Sequence, residues 1–357
     1  LKRCTKCILP ETMPFISFNE SGECNYCLNY TRRLGTKSLK SLESLVEPYR
    51  RKLGPEVVIP FSGGRDSFYA LHIATKELGL RAITYTYDWG MVTDLARRNI
   101  SNMTANLGIR NILVSANIEA KRKNVEMNLR AWLKAPHLGM ISLLTAGDKH
   151  FFRYVEDIKR ENNVSLNIWG VNPLETTHFK AGFLGIEPNF KESKVYNSSL
   201  MGQLDYQKKR FREYSRNPSY INKSIYDTLS GEYWRTVHKK TDYFHLFDYY
   251  DWTDEKVDNV LNLYDFERAP DTKSTWRIGD GTAAFYNYIY YNVAGFTEND
   301  TFRSNQIREG KITREEALKL VEEENLNRYP NIKWYLDLLG IDFNYAIKII
   351  NDIQPLF

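Results

Sequence analysis

Short apolar runs alternate with segments of helical periodicity through the first part of the chain. The run at 57–61 is rich in β-branched residues, and a glycine turn joins it to a stretch of helical spacing. The alternation continues with strand-like segments at 81–87, 109–114 and 165–171 and helical segments at 93–107 and 154–162. Strands that alternate with helices predict an α/β fold with a parallel sheet and helices on both faces.

The regions on either side follow other patterns. Apolar positions in 39–53 have helical spacing, and Gly54–Pro55 closes this helix. Towards the end of the chain, Thr253 and Thr313 open helices, the second with the spacing of a capping box. We therefore expect three regions: a small module at 1–35, the α/β domain at 36–245 and a mainly helical region at 246–357.

The composition is that of a globular protein with a modest positive charge. Of the 357 residues, 42% are hydrophobic and 26% are charged, and the formal net charge is +5. This charge is spread along the chain and suits an anionic small substrate at least as well as a nucleic acid, so we expect no nucleic-acid partner. No apolar run approaches the roughly 18 residues needed to span a bilayer, and the first residues do not form a signal-peptide core. These features predict a cytoplasmic protein without a membrane span.

All four cysteines lie near the start of the chain. Cys4 and Cys7 form one C-x2-C pair, and Cys24 and Cys27 form a second pair sixteen residues later. This spacing is typical of a tetrahedral zinc site, and four thiolates leave no coordination position for water. Cytosolic thiols are usually reduced, and a segment of about thirty residues has too little core to order itself. The cysteines predict a structural zinc ribbon; an iron–sulfur cluster and unligated thiols are the alternatives.

A turn with two glycines joins the first strand to its helix, and its sequence is Ser62-Gly63-Gly64-Arg65-Asp66-Ser67. Such a turn lets the backbone approach a ligand and directs N–H groups at an anion near the positive end of the helix. Ser62 and Ser67 add hydroxyl donors, and Asp66 suits a magnesium ion on the phosphates. The turn predicts a pyrophosphate site with Ser62 and Asp66 as catalytic residues. The alternative is a structural turn in which Ser62 or Asp66 caps the helix.

This turn resembles the Ser-Gly-Gly-x-Asp-Ser signature of the PP-loop N-type ATP pyrophosphatases, and it lacks the Gly-Lys-Ser/Thr of a Walker loop. The resemblance implies an adenine-nucleotide hydrolase-like fold that splits ATP into AMP and pyrophosphate with magnesium. A substrate oxygen is adenylylated before a nucleophile displaces AMP. The ATP-binding residues it implies are Ser62, Gly63, Gly64, Arg65, Asp66 and Ser67. The signature indicates the activation chemistry and leaves the substrate open.

Further candidates follow later strands of the same sheet. Tyr87 and Asp88 lie at the carboxyl end of the second strand, where such sheets bind nucleotides, and we expect them to contact adenosine. Gly170 ends another strand and is expected to let the backbone approach ATP, with Asn172 and Glu175 close behind as substrate contacts. These residues also suit ordinary strand ends and turns.

Three polar clusters complete the set. Arg277 and Asp280, with a tryptophan beside them, are expected to fold over the site as substrate contacts. Lys149 and His150 are expected in a loop, where a positively charged side chain would bind phosphate. Surface loops and helix caps are the alternatives for both clusters. Lys208–Arg210 is expected to be a solvated helix face rather than a nucleic-acid contact.

Three segments carry a resemblance over nearly the whole chain: 4–12 with 22–27, the PP-loop, and 307–317 (Ile-Arg-Glu-Gly-Lys-Ile-Thr-Arg-Glu-Glu-Ala). Together they resemble the N-acetyl sugar amidotransferase family (WbpG/PseA-like) of bacterial surface-polysaccharide and lipopolysaccharide biosynthesis. This resemblance implies that an N-acetyl group on a nucleotide-linked sugar becomes an acetamidino group. ATP adenylylates the amide oxygen, and ammonia then attacks the carbon.

The source of ammonia follows from the cysteine count. No cysteine follows Cys27, so none is left as the nucleophile that glutamine hydrolysis needs. The resemblance implies a separate HisH-like glutaminase subunit and a HisF-like subunit. Two other functions stay open: a PP-loop tRNA-modifying enzyme, which the missing downstream cysteines disfavour, and a non-catalytic zinc-ribbon scaffold, which the intact loop disfavours.

Overall fold

Five parallel strands form a sheet on which the rest of the chain packs. The computed structural model describes residues 1–145, 147–191 and 200–357. The order across the sheet is β3-β2-β1-β4-β5, and every neighbouring pair is parallel. The strands are β1 Val57–Pro60, β2 Ala82–Asp88, β3 Asn111–Ser115, β4 Leu166–Trp169 and β5 Tyr243–His245. The chain proceeds from β1 to one edge of the sheet through β2 and β3, and then from β4 to the other edge through β5. Because the strand order reverses between β1 and β4, a crevice opens at the carboxyl ends of these two strands.

The predicted α/β fold, with a parallel sheet, an N-terminal cysteine module and a helical C-terminal region, is confirmed. Each of β1 to β4 overlaps a strand-like segment of the sequence. Strand β5 was not predicted, because its three residues are too few to show a pattern. The region boundaries at 35/36 and 245/246 stay predictions.

Helices flank the sheet and make up the C-terminal third. In chain order they are α1 Asn25–Leu28, α2 Leu39–Val46, α3 Arg65–His72, α4 Asp94–Leu107, α5 Ile118–Lys134, α6 Phe151–Glu161, α7 Phe179–Gly182, α8 Leu200–Arg216, α9 Ser224–Glu232, α10 Asp254–Leu263, α11 Ala283–Ala294, α12 Glu298–Arg308, α13 Arg314–Glu324, α14 Tyr329–Leu338 and α15 Phe343–Asn351. As predicted, Thr253 caps α10 and Thr313 forms a capping box on α13. Within the described ranges, no helix is both long and apolar enough to cross a bilayer.

Two local predictions were wrong. Helix α2 ends at Val46 and a short 3-10 turn follows it, because Pro48 lacks an N–H and its ring obstructs a continuing α-helix. Arg210 was expected on a solvated face, but its side chain is buried, and its Nη2 donates a hydrogen bond to Tyr206 Oη at 2.7 Å. A run of basic residues therefore did not mark a fully solvated surface.

Alternate residues of β1 pack on opposite faces of the sheet. Val57 and Ile59 belong to an apolar cluster that also contains residues of α3 and α10. Val58 belongs to a second cluster, which includes residues of α5 and α6. This alternation is the strand period of two, and it places helices on both faces as predicted. Strand β1 is thus packed on both faces, and the glycine turn follows directly from its carboxyl end at the crevice.

Helix α12 buries mostly polar side chains. The buried ones are Glu298, Asp300, Thr301, Arg303, Ser304, Asn305 and Gln306. The cysteine module packs on this helix, with Arg3 Nη1 2.8 Å from Asp300 Oδ1 and Ile8 N donating to Ser304 Oγ at 3.4 Å. Phe302 joins the apolar cluster of α3. Helix α12 therefore lies between the cysteine module and the sheet, and its buried charges need partners on both sides.

Candidate active site and metal centre

The glycine turn leaves β1 and enters α3 at the crevice. Gly63 has a φ of +74°, and a Cβ there would lie 2.7 Å from Ala96 O and 2.8 Å from Ile100 Cγ1. Only glycine fits both restraints. Gly64 is the N-cap of α3 and has no side chain to cap the helix, and its backbone N–H donates to Ser62 Oγ at 3.4 Å. The turn therefore places the start of α3 at the crevice, where backbone N–H groups suit an anion, and the alternative in which Ser62 or Asp66 caps the helix stays open.

A cleft of about 360 Å³ lies at the carboxyl ends of β1 and β4. The glycine turn forms one wall, and residues from after β4 and from the segment before α11 form the opposite wall. The predicted site residues that line the cleft are Ser62, Gly64, Arg65, Asp66, Ser67, Tyr87, Gly170, Asn172, Glu175, Arg277 and Asp280. A cleft of this size suits a ligand as large as a nucleotide.

Gly63 and Asp88 do not line the cleft. The Asp88 carboxylate is buried and accepts hydrogen bonds from Gly90 N at 2.9 Å and from Arg97 Nη2 at 2.6 Å. Its predicted contact with adenosine stays a prediction. Tyr87 is better placed, since it lines the cleft and its ring centroid lies 4.9 Å from that of Tyr154.

Gly170 lines the cleft and also allows close packing beneath it. A Cβ at this position would lie 2.4 Å from Ala70 Cβ on α3. Glycine therefore lets the end of β4 pack tightly against the helix that carries Asp66. This packing is a structural reason for the glycine that the sequence did not indicate.

The Asp66 carboxylate lies in the first turn of α3. Its Oδ1 accepts hydrogen bonds from Trp252 Nε1 at 2.6 Å and from Asn172 Nδ2 at 3.3 Å. Burial, opposed by the charge of Arg65 and assisted by that of Glu175, raises the pKa of Asp66 to about 8. A divalent cation suits such a carboxyl beside a second carboxylate, because its positive charge favours the ionised form of Asp66. Asp66 and Glu175 therefore fit a magnesium ion.

Arg277 organises the opposite wall. Its φ is +51°, which is uncommon for a residue other than glycine and is frequent at functional sites. Its guanidinium lies 3.2 Å from Glu175 Oε2, 3.6 Å from Asp280 Oδ2 and 3.3 Å from Glu298 Oε2. Trp276 Nε1 donates to Glu175 Oε1 at 2.5 Å. The Glu175 carboxylate is thus held from two sides, and the charge of Arg277 is balanced within the wall.

Arg65 borders the cleft, but its guanidinium is buried in the protein. The guanidinium carbon lies 5.0 Å from the Trp252 ring and 4.9 Å from the Phe302 ring. Its Nη1 is 3.4 Å from Asp254 Oδ1. The side chain therefore anchors α3 to the C-terminal helices, and a contact of Arg65 with ATP would come from its backbone.

Lys149 and His150 lie in a 3-10 helix, Asp148–His150, and neither lines the cleft. Lys149 Nζ is 3.5 Å from Glu232 Oε1. His150 Nδ1 is 3.1 Å from Gly147 O, and burial lowers the pKa of His150. Both side chains therefore have partners within the protein.

Sequence reasoning missed several residues of the site. Trp252 donates to Asp66, and Asp148 lines the cleft. An aromatic lining was missed as well: Tyr85, Trp89, Phe151 and Trp169. The available signal was position, because Trp169 ends β4 and Trp89 directly follows β2. Trp252 carried no such signal, since it reaches the site from outside the strands.

The four cysteines converge in the N-terminal module. Their Sγ atoms all lie within 4.8 Å of one another, all four residues are buried, and none forms a disulfide. Cys4 Sγ accepts hydrogen bonds from the backbone N–H groups of Lys6, Cys7 and Cys24 at 3.4, 3.4 and 3.2 Å. Donors around a sulfur favour its thiolate. The cysteines therefore fit a metal with four thiolate ligands, which both zinc and an iron–sulfur cluster accept.

Arg308, at the end of α12, also contacts this centre. Its Nε donates to Cys27 Sγ and its Nη2 to Cys7 Sγ, both at 3.2 Å. A fixed positive charge beside the sulfurs favours the ionised ligands that a metal needs. Sequence reasoning did not assign this role to Arg308.

Comparison with known proteins gives remote similarities only. No family model and no curated protein matches the chain. Among solved structures, the chain is similar to the U34-tRNA thiolase NcsA of Methanococcus maripaludis with its 4Fe-4S cluster (12% identity, 95% of this chain and 89% of that one, TM-score 0.31). It is also similar to an NH3-dependent NAD synthetase of Campylobacter jejuni (13% identity, 56% of this chain and 96% of that one, TM-score 0.27). A third similar structure is the NMN synthetase of Francisella tularensis (13% identity, 89% of this chain and 97% of that one, TM-score 0.36). At these scores, none of the three establishes the activity of this chain.

Proposed function

We propose that this chain is an enzyme that uses ATP to adenylylate an amide oxygen and then exchanges AMP for ammonia. One observation carries the proposal: the Ser62–Ser67 turn and the Asp66–Glu175 carboxylate pair face the same cleft at the reversal of the sheet. Main-chain N–H groups at the start of α3 suit a pyrophosphate. The two carboxylates suit magnesium, which when bound neutralises phosphate charge.

The proposed reaction has two steps. The amide oxygen attacks the α-phosphorus of ATP, the bond to the bridging oxygen breaks, and pyrophosphate leaves. Ammonia then adds to the amide carbon, the carbon–oxygen bond breaks, and AMP leaves with the original oxygen. The turn holds the pyrophosphate, and Tyr87 and Trp169 flank the adenosine. Holding both reactants in one cleft supplies much of the rate enhancement.

For the acceptor, we propose an N-acetyl group on a nucleotide-linked sugar, which becomes an acetamidino group in bacterial surface-polysaccharide biosynthesis. The family resemblance of the sequence supports this choice. The polar wall formed by Asn172, Arg277 and Asp280 is compatible with it, because hydroxyl groups need both donors and acceptors.

The ammonia is proposed to come from a separate HisH-like glutaminase subunit working with a HisF-like subunit. All four cysteines belong to the metal centre, so none is left for glutamine hydrolysis. Zinc is the proposed resident metal, and the cytoplasm is the proposed compartment because it keeps such thiols reduced.

The test combines purified protein with ATP, magnesium, ammonium and a panel of UDP-linked N-acetyl sugars. AMP is measured by chromatography, and replacement of the acetyl oxygen by nitrogen is measured by mass spectrometry. Parallel reactions contain tRNA or no acceptor. AMP and modified sugar that both depend on ammonium support the proposal. AMP with tRNA alone would replace it with tRNA modification, and bound MgATP without AMP for any acceptor would favour a scaffold.

A further inference from the structure

Hydrogen bonds, joined through the backbone of Leu174, connect the cysteine centre to Asp66. Arg308 donates to Cys7 Sγ and Cys27 Sγ, and its Nη1 donates to Asn305 Oδ1 at 2.8 Å. The connection then runs along one line of atoms: Asn305 Nδ2 to Leu174 O at 2.8 Å, Leu174 N to Asn172 Oδ1 at 3.0 Å, and Asn172 Nδ2 to Asp66 Oδ1 at 3.3 Å. We call Arg308, Asn305, Leu174 and Asn172 the relay. The relay spans the interior from the N-terminal module to the nucleotide cleft.

Three members of the relay are buried, and Arg308 is half-buried. Asn305 is 5% exposed, Asn172 is 2% exposed and Leu174 is fully buried. Hydrogen bonds in such surroundings are strong, and an unpaired buried amide is costly, so each amide has one favoured orientation. In both asparagines, Oδ1 accepts a hydrogen bond from the side of the cysteine centre, and Nδ2 donates one towards Asp66. The relay therefore has a direction, and its last donor faces the carboxylate.

A second connection from the same helix supports the same arrangement. Arg303 Nη1 and Gln306 Nε2 donate to Asp254 Oδ2 at 2.7 and 2.8 Å, and Asp254 Oδ1 is 3.4 Å from Arg65 Nη1. Arg65 directly precedes Asp66 in α3. Helix α12 therefore contacts the first turn of α3 through two independent sets of polar groups.

We propose that the cysteine centre does more than order the N-terminal module: through the relay it positions the Asp66 carboxylate for magnesium and ATP. Arg308 and Asn305 are positioning residues in this reaction. Cys7 and Cys27 would be fixed in place by a bound metal, and Arg308, which contacts both sulfur atoms, would pass that constraint through the relay to Asn172. This inference rests on the proposed function, in which Asp66 is a magnesium ligand.

The experiment measures MgATP affinity by calorimetry in the full chain, with metal content by elemental analysis and thermal stability as companion measurements. Asn305→Leu removes both hydrogen bonds of the central amide at similar volume. Thr301→Val is the matched control, because Thr301 is equally buried on α12 and its hydroxyl donates only within the helix, to Glu298 O. Neither residue touches the cysteines or the cleft.

Asn305→Leu is expected to keep its metal and weaken MgATP binding about tenfold, as loss of a group behind a metal ligand commonly does. Its affinity for ATP without magnesium should change less. Thr301→Val should bind MgATP like the wild type. Removing the cysteine-bound metal from wild-type protein should weaken MgATP binding by a similar factor, and removing it from Asn305→Leu should add little further loss.

Two results would overturn the inference. One is folded, metal-loaded Asn305→Leu with wild-type MgATP affinity. The other is an equal loss of affinity in Thr301→Val, which would indicate general loosening of α12. If wild-type protein itself fails to bind MgATP, the proposed function fails, and the relay loses its target with it. The wild-type binding measurement thus separates failure of the function from failure of the relay.

Discussion

The two walls of the cleft are built in different ways. The first wall comes from one continuous stretch, Ser62–Ser67, at the turn from β1 into α3, and every residue of this stretch except Gly63 lines the cleft. The second wall is assembled from distant segments, with Asp148 before α6, Glu175 after β4 and Arg277 before α11. A local wall can be recognised from its residues, whereas an assembled wall depends on the packing of the whole chain. The walls should therefore respond differently to substitution.

The largest expected effect is that of Asp66→Ala in the local wall. Removing a magnesium ligand should lower AMP formation by at least about a hundredfold, because the phosphate charge is no longer neutralised at the cleft. The variant should stay folded, and its metal content at the cysteines should stay close to that of the wild type. Asp258→Asn, an exposed carboxylate on α10, is the matched control and should leave AMP formation unchanged. Normal turnover in Asp66→Ala would remove this residue from the mechanism.

Gly63→Ala tests whether the local wall depends on backbone shape. The added methyl would lie 2.7 Å from Ala96 O at a φ of +74°, so the turn must shift away from α4. We expect a loss of about 2–3 kcal/mol in the free energy of unfolding, together with weaker ATP binding. Chemical denaturation measures the free energy of unfolding, and calorimetry measures the affinity for ATP. Gly54→Ala is a control, since its φ is also positive but nothing lies within 4 Å of its Cβ. An equal loss in both variants would show that the cost is conformational and not the contact with α4.

Glu175→Gln tests the assembled wall. The amide keeps the shape of the side chain but removes its charge, so magnesium loses one anionic ligand and MgATP binding should weaken about tenfold. The pKa of Asp66 should also fall, because the Glu175 charge helps to raise it. Carboxyl NMR on labelled protein measures this pKa, and calorimetry measures the affinity. An unchanged Asp66 pKa would show that the two carboxylates are not coupled.

The last effect concerns the stability of the fold rather than ATP binding or catalysis, and it is measured in the absence of magnesium and ATP. The folded-state pKa of Asp66, about 8, lies above the unfolded value of about 3.9, so the folded state holds the proton more tightly. The stabilising contribution is fully present below about pH 4 and is lost as pH rises towards 8. Asp66→Asn cannot ionise and should be more stable than the wild type at pH 8, with little difference at pH 4. Melting curves from pH 4 to 9 check this, and parallel curves for the two proteins would contradict the raised pKa.

The same contrast explains what could be predicted from the sequence. The strands β1 to β4, the cysteine cluster and the glycine turn have local patterns, and each was found as expected. Trp252 and Asp148 were missed, because their roles arise only when α10 and the segment before α6 pack against the sheet. Arg65 was expected to contact ATP from its place in the signature, yet its guanidinium is enclosed by Trp252 and Phe302. Spacing identifies which residues are near one another along the chain, and it does not determine the direction of a long side chain.

The polar helix α12 also has a consequence for how the chain folds. Its buried side chains find their partners in segments from widely separated parts of the sequence, including Arg3, Leu174, Asp254 and Glu324. An isolated helix of eleven residues with little apolar surface is not stable in water, so α12 cannot form ahead of the elements around it. It should order late and together with the cysteine module and the sheet, as one cooperative unit with slow amide hydrogen exchange. Supplying the metal during refolding should therefore speed the appearance of the nucleotide cleft as well as of the module that binds the metal.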